Sequence, residues 1–68
     1  MMNNTTEQKK RNNYELLFNT VKSLSNSQGY YGRLLHSLIN MNEDERLELI
    51  NNLPIFNDAL DVVMWLEQ

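Results

Sequence analysis

The segment Ser27-Gln28-Gly29-Tyr30-Tyr31-Gly32-Arg33-Leu34-Leu35 constrains this chain more than any other. It holds both glycines, two of the three tyrosines and an arginine. A glycine inside a helix costs about 1 kcal/mol relative to alanine. Two glycines within four residues therefore call for a break in the helix or for a neighbour that needs the space.

The apolar spacing favours continuity. Tyr14, Leu17, Val21, Leu24, Tyr31, Leu35 and Leu38 follow at helical steps, with Gln28 in the one polar place, and Phe18 and Leu34 widen the stripe. The phase runs through Ser25–Gly29 without a reset. It predicts one long helix over about residues 8–40, spanning ~50 Å at ~1.5 Å per residue. The alternative is two helices broken near 25–29, with Gly29 closing the first. Ser25, Asn26, Ser27 and Gly29 are poor helix formers and keep that alternative open.

The second half is shorter-stepped. Asn42 with Glu45 three residues on forms a capping-box pattern, and Glu43 to Glu45 suit the positive end of a helix dipole. A helix over about 43–52 follows, with Leu47, Ile50 and Leu49 as its apolar side. Pro54 stops it, because proline lacks the amide donor and clashes with the preceding turn. Asn57 or Asp58 caps a last helix over about 58–67. Val62–Leu66 has strand-like composition, but no second strand signal exists to pair with it. The expected fold is all-α: a single domain over 1–68 in which three helices form a hairpin. The first six residues lack periodicity and read as frayed, with Thr5 or Thr6 as a cap.

Size limits stability. A chain of 68 residues buries only about 60% of its unfolded surface. It has no cysteine, so no disulfide or thiolate–metal site can staple it. That fits a reducing, cytoplasmic setting. The longest apolar run is Val62 to Leu66, too short for a membrane span or a signal-peptide core. Well-packed helices, a partner or self-association must therefore stabilise the chain.

Catalytic equipment is not apparent. His36 is the one histidine, nothing has metal-ligand spacing, and Gly29 and Gly32 do not make a phosphate loop. The expectation is a non-enzyme without cofactor or metal. Charge is uneven. Residues 1–40 carry five basic and two acidic groups, hence +3. Residues 41–68 carry one basic and seven acidic groups, hence −6. The halves attract each other, or the acidic half faces a basic partner. Direct nucleic-acid binding is disfavoured, since Lys9–Arg11 is a short cluster in an acidic protein. No helix pairs an apolar face with a lysine-rich one, which disfavours membrane binding.

Candidate contact residues follow from the helix. On a continuous helix Ser25, Gly29, Gly32 and His36 form a shallow groove of small side chains. Tyr30 and Arg33 sit at its edge, and both residue types are enriched where proteins bind tightly. Either the returning arm of the same chain or an external partner fills that groove. The last helix is apolar nearly all round, so Met64 and Trp65 form either an interaction patch or a cap on the core.

Ser27–Leu35, together with the ending Asp61-Val62-Val63-Met64-Trp65-Leu66-Glu67, resembles a group of small helical proteins on phages, plasmids and staphylococcal cassette elements of Gram-positive bacteria. The shared pattern is Ser-Gln-Gly-aromatic-Tyr-Gly-Arg-Leu, followed by an acidic helix, and the resemblance covers about residues 14–67. Tyr30 stands where phenylalanine is expected. The resemblance implies an accessory subunit of an element-encoded replication enzyme, or an inhibitor of a host defence nuclease. It assigns no functional residues.

The sequence-based expectation is therefore a protein-interaction module that modulates a larger, nucleic-acid-processing protein. The alternatives are a homodimeric structural protein and an acidic DNA mimic.

Overall fold

The structure, a computed structural model, describes residues 6–68 and side chains from residue 8 onward. The expected cap at Thr5 and the frayed start fall outside the described residues, apart from Thr6, which opens the first helix. Four helices follow: α1 (Thr6–Ser25), α2 (Gly29–Asn40), α3 (Glu43–Asn52) and α4 (Ala59–Leu66). Among the described residues there is no strand. The all-α class holds, and the Val62–Leu66 run is helical.

The long helix over 8–40 is not formed. It divides at Asn26–Gln28, so the arrangement has four helices and not three. The reason is local. Ser25 turns its hydroxyl back onto the Lys22 carbonyl at 2.7 Å, competing with the helix ladder. Ser27 N–H and Gln28 N–H both donate to the Leu24 carbonyl, at 3.0 and 3.1 Å, which closes α1. Gln28 then adopts extended backbone (φ −137°, ψ 126°) and becomes the N-cap of α2. Gly29 thus opens the second helix and does not close the first.

The second half forms as its caps dictate. Asn42 Oδ1 accepts from Glu45 N–H at 2.8 Å, and Glu45 Oε1 accepts from Asn42 N–H at 3.0 Å, the reciprocal capping box. α3 ends at Asn52, two residues before Pro54. Asp58 caps α4 by accepting from Asp61 N–H at 3.1 Å, while Asp61 Oδ2 accepts from Asn57 N–H at 2.8 Å.

α1 is the hub, since α2, α3 and α4 each pack on it. The core gathers Leu17 and Val21 from α1, Leu38 from α2, Leu53 and Phe56 from the α3–α4 connection, and Val62 from α4. Val21 and Val62 are fully buried. Burial of that kind stabilises by about 1.5–3 kcal/mol per side chain. α3 contributes no buried residue.

Two polar side chains of α1 are buried: Thr20, whose hydroxyl donates to the Leu16 carbonyl at 2.7 Å within the helix, and Asn13, which reaches across to another segment. Asn13 on α1 is 6% exposed. Its Nδ2 donates to the Pro54 carbonyl at 2.6 Å, and its Oδ1 accepts from Phe56 N–H at 2.7 Å. The carbonyl requires the amide nitrogen and the N–H requires the oxygen, so one orientation satisfies both. The connection after α3 has left the helical ladder, and Asn13 supplies hydrogen bonds that the helices cannot.

Candidate protein-binding surface

The helix break redistributes the residues singled out in the sequence. Ser25 ends α1, half-buried, on the far side of the turn from the glycines. The continuous groove from Ser25 to His36 is therefore not formed. Gly29, Gly32, Arg33 and His36 lie on α2 at spacings of three, one and three, which places them on one face. Arg33 and His36 are exposed. Tyr30 is 64% exposed and meets the buried Tyr31 edge-on, with ring centroids 5.2 Å apart. Met64 and Trp65 lie on a different helix, α4. Met64 is exposed. Trp65 is half-buried, packs against the core and meets Phe56 edge-on at 5.6 Å.

The returning arm does not fill the glycine face. A Cβ built on Gly29 or Gly32 meets nothing within 4 Å, helix backbone aside. Gly32 sits inside α2, where alanine removes unfolded-state freedom without a clash. Gly32→Ala is therefore expected to stabilise the protein by about 0.5–1 kcal/mol. A thermal melt checks this, and an unchanged or lowered midpoint would show that α2 needs the bare backbone.

A larger concavity lies elsewhere. A cleft of about 860 Å³ opens between α1, the C-terminal end of α2, and α3. Tyr14 and Phe18 form its apolar wall on α1, with ring centroids 6.3 Å apart. Leu38 and Met41 add apolar surface from α2 and the residue after it, and Ile50 adds it from α3. Two further lining residues, Ile39 and Leu47, are left 61% and 43% exposed. Each long wall also carries one cation and one anion: Arg11 with Glu15 on α1, and Glu43 with Arg46 on α3. Arg46 and Glu43 pair at 3.3 Å, an exposed pair of small energetic weight.

The sequence pattern did not single out this cleft. The apolar stripe places Tyr14, Phe18 and Leu38 at the core, where Leu38 is buried and the other two pack against it, and the same residues also line the cleft; Leu47, expected on the buried side of α3, is 43% exposed. The available signal was Ile39, an apolar residue outside the stripe and next to the chain reversal.

Among the described residues no group of histidine, cysteine, aspartate or glutamate could hold a metal ion, and no helix is long and apolar enough to cross a membrane. No family of known proteins, no curated protein and no solved structure matches the chain. The fold defines a class, a small all-α protein, and the surface chemistry carries the functional argument.

Proposed function

We propose that this chain is a non-enzymatic protein-interaction module that binds and modulates a larger protein. The observation that carries the reading is the cleft, whose lining is half polar and half apolar, with Ile39 and Leu47 exposed at it. A small protein gains nothing in stability by leaving such side chains in water, and exposed apolar patches of this kind mark contact sites. The resemblance to mobile-element proteins and the charge of the second half support a nucleic-acid-processing enzyme as the larger protein. The α2 face of Gly29, Gly32, Arg33 and His36, with the exposed Tyr30 beside it, is a second candidate contact surface, made of residues that do not line the cleft.

The test compares affinity purification of the wild type with Leu47→Asp from the source cell. One protein recovered stoichiometrically by the wild type and lost with the variant is the expected result. Recovery of no protein, or equal recovery by both, would overturn the cleft as the contact.

Self-association is a second reading with its own observation. Leu60 and Met64 are both exposed and four residues apart on α4, so they form one apolar ridge. Light scattering separates the two readings, because a stable dimer has twice the monomer mass of 8.1 kDa.

A further inference from the structure

We infer that the Asn26–Gln28 turn is a hinge through which two copies of this chain exchange α2, α3 and α4, giving a swapped dimer in which α1 and α2 run as one helix. The inference stands apart from the binding role proposed above and uses neither the cleft nor the α4 ridge.

The turn is lightly held. Asn26, Ser27 and Gln28 are all exposed, so no core packing pins their side chains. Gln28 caps α2 without a side-chain hydrogen bond. Neither glycine has the positive φ that would commit the backbone to a reversal. The helical ladder also comes close to bridging the turn. Gln28 N–H still donates to the Leu24 carbonyl four residues back at 3.1 Å, and Gly32 N–H donates to the Gln28 carbonyl at 3.3 Å. The extended backbone of Gln28 lies between these two bonds. Rotation at and beside Gln28 into helical geometry joins the two ladders.

The apolar face survives the change. On a straight helix Leu17, Val21, Leu24, Tyr31, Leu35 and Leu38 fall within about 100° of one another. In the hairpin the same residues are buried or half-buried. Two such helices laid antiparallel turn these faces together, and each α1 meets the other chain's α2 as it met its own. Gln28 falls in the middle of that face, at the two-fold axis, where a side-chain amide from each copy can donate and accept. α3 and α4 travel with α2. Both pack on α1, as α2 does, so every packed pair of helices re-forms between the copies. Their anchors, Lys10 to Asn51 and Asn13 to Pro54 and Phe56, lie more than three helical turns before the hinge, clear of the crossing. The exchange keeps the core and alters the turn alone, a low-cost route to a dimer. A short turn holds its arms at an effective concentration on the order of millimolar, so a second copy competes in that range.

The test refolds the full chain from denaturant at about 1 mM and measures the mass of each separated species by light scattering. The wild type should yield a fraction at twice the monomer mass of 8.1 kDa. Asn26→Ala/Ser27→Ala replaces two poor helix formers in each hinge and should lower the dimer's dissociation constant by roughly tenfold or more. Gly29→Pro should abolish the dimer and keep the fold. Gly29 opens α2, where proline is tolerated, and Gln28 already has the extended backbone that a following proline demands. On a continuous helix the same ring would clash with the Ser25 carbonyl.

Met64→Asp should dimerise as the wild type does, whereas association through the α4 ridge would be lost. The amide nuclear magnetic resonance spectrum of the dimer should match that of the monomer except near residues 25–29. That spectrum decides the matter should Gly29→Pro fold poorly, as circular dichroism would show. A wholly monomeric wild type, a double variant that dimerises no better, undiminished dimer in folded Gly29→Pro, loss of dimer with Met64→Asp, or shift changes centred on α4 would each overturn the inference.

Discussion

Phe56→Ala is expected to lower stability by about 3–5 kcal/mol, the usual cost of emptying a buried phenylalanine site. Phe56 is 8% exposed, belongs to the core cluster and meets Trp65 edge-on. At about 0.05–0.15 kcal/mol per residue, a domain of this length has a total stability of ~3–10 kcal/mol. The substitution therefore removes about three-tenths of the margin at least and leaves most of the chain unfolded at worst. Its neighbours are poorly placed to close the gap, because Leu53 and Val62 are already buried in the same cluster. Denaturant titration followed by Trp65 emission gives the number. A loss below about 1.5 kcal/mol would show that the α3–α4 connection collapses into the space.

Asn13→Ala should have the next largest effect, about 2–4 kcal/mol, at a residue with no apolar payload. The side chain makes two hydrogen bonds to the Pro54–Phe56 backbone. A typical bond contributes about 1 kcal/mol net, and a buried donor left without a partner costs about 1–3 kcal/mol. The Phe56 N–H is that stranded donor. Asn13→Asp tests the orientation, because it keeps an acceptor for Phe56 N–H but sets a carboxylate against the Pro54 carbonyl. It is expected to be no better than alanine. The two sites also share one connection. Once Phe56 has lost its seat, Asn13 has less to hold, so the double variant should lose less than the sum of the singles. Additive losses in urea melts would sink the idea that Asn13 acts by fastening Phe56.

The parts of the fold that depend on local pattern were readable. Leu17, Val21 and Leu38 stand on the stripe at helical spacing and are buried. The box at Asn42 and Glu45, the stop before Pro54 and the cap at Asp58 each follow from the chemistry of a few adjacent residues. The break at Asn26–Gln28 was not decided by periodicity. Leu24 and Tyr31 are seven residues apart, two helical turns on a straight helix. In a hairpin of two helices the inward positions of both arms are counted outward from the turn. A three-residue turn takes the place of about one helical turn, so the apolar phase carries across it unchanged. The poor propensities of Ser25, Asn26 and Ser27 were the deciding signal.

Asn13 was invisible for a different reason. It is one of eleven asparagines, and its partners are 41 and 43 residues away. Nothing near it in the sequence marks it. The cleft was hidden likewise, since it depends on where α3 comes to rest against α1. Residues on a predicted apolar stripe can be core or cleft wall, and only packing separates the two.

The span of the Asn13 hydrogen bonds bears on the order of assembly. The α1–α2 turn joins its arms through three residues, whereas the bonds to Pro54 and Phe56 close a loop of more than half the chain. Short loops close at little entropic cost and long ones later. Loop closure therefore favours pairing of the first two helices ahead of the contact between Asn13 and the Pro54–Phe56 segment. A variant that weakens the Asn13 contact is therefore expected to speed unfolding more than it slows folding, which stopped-flow kinetics would show.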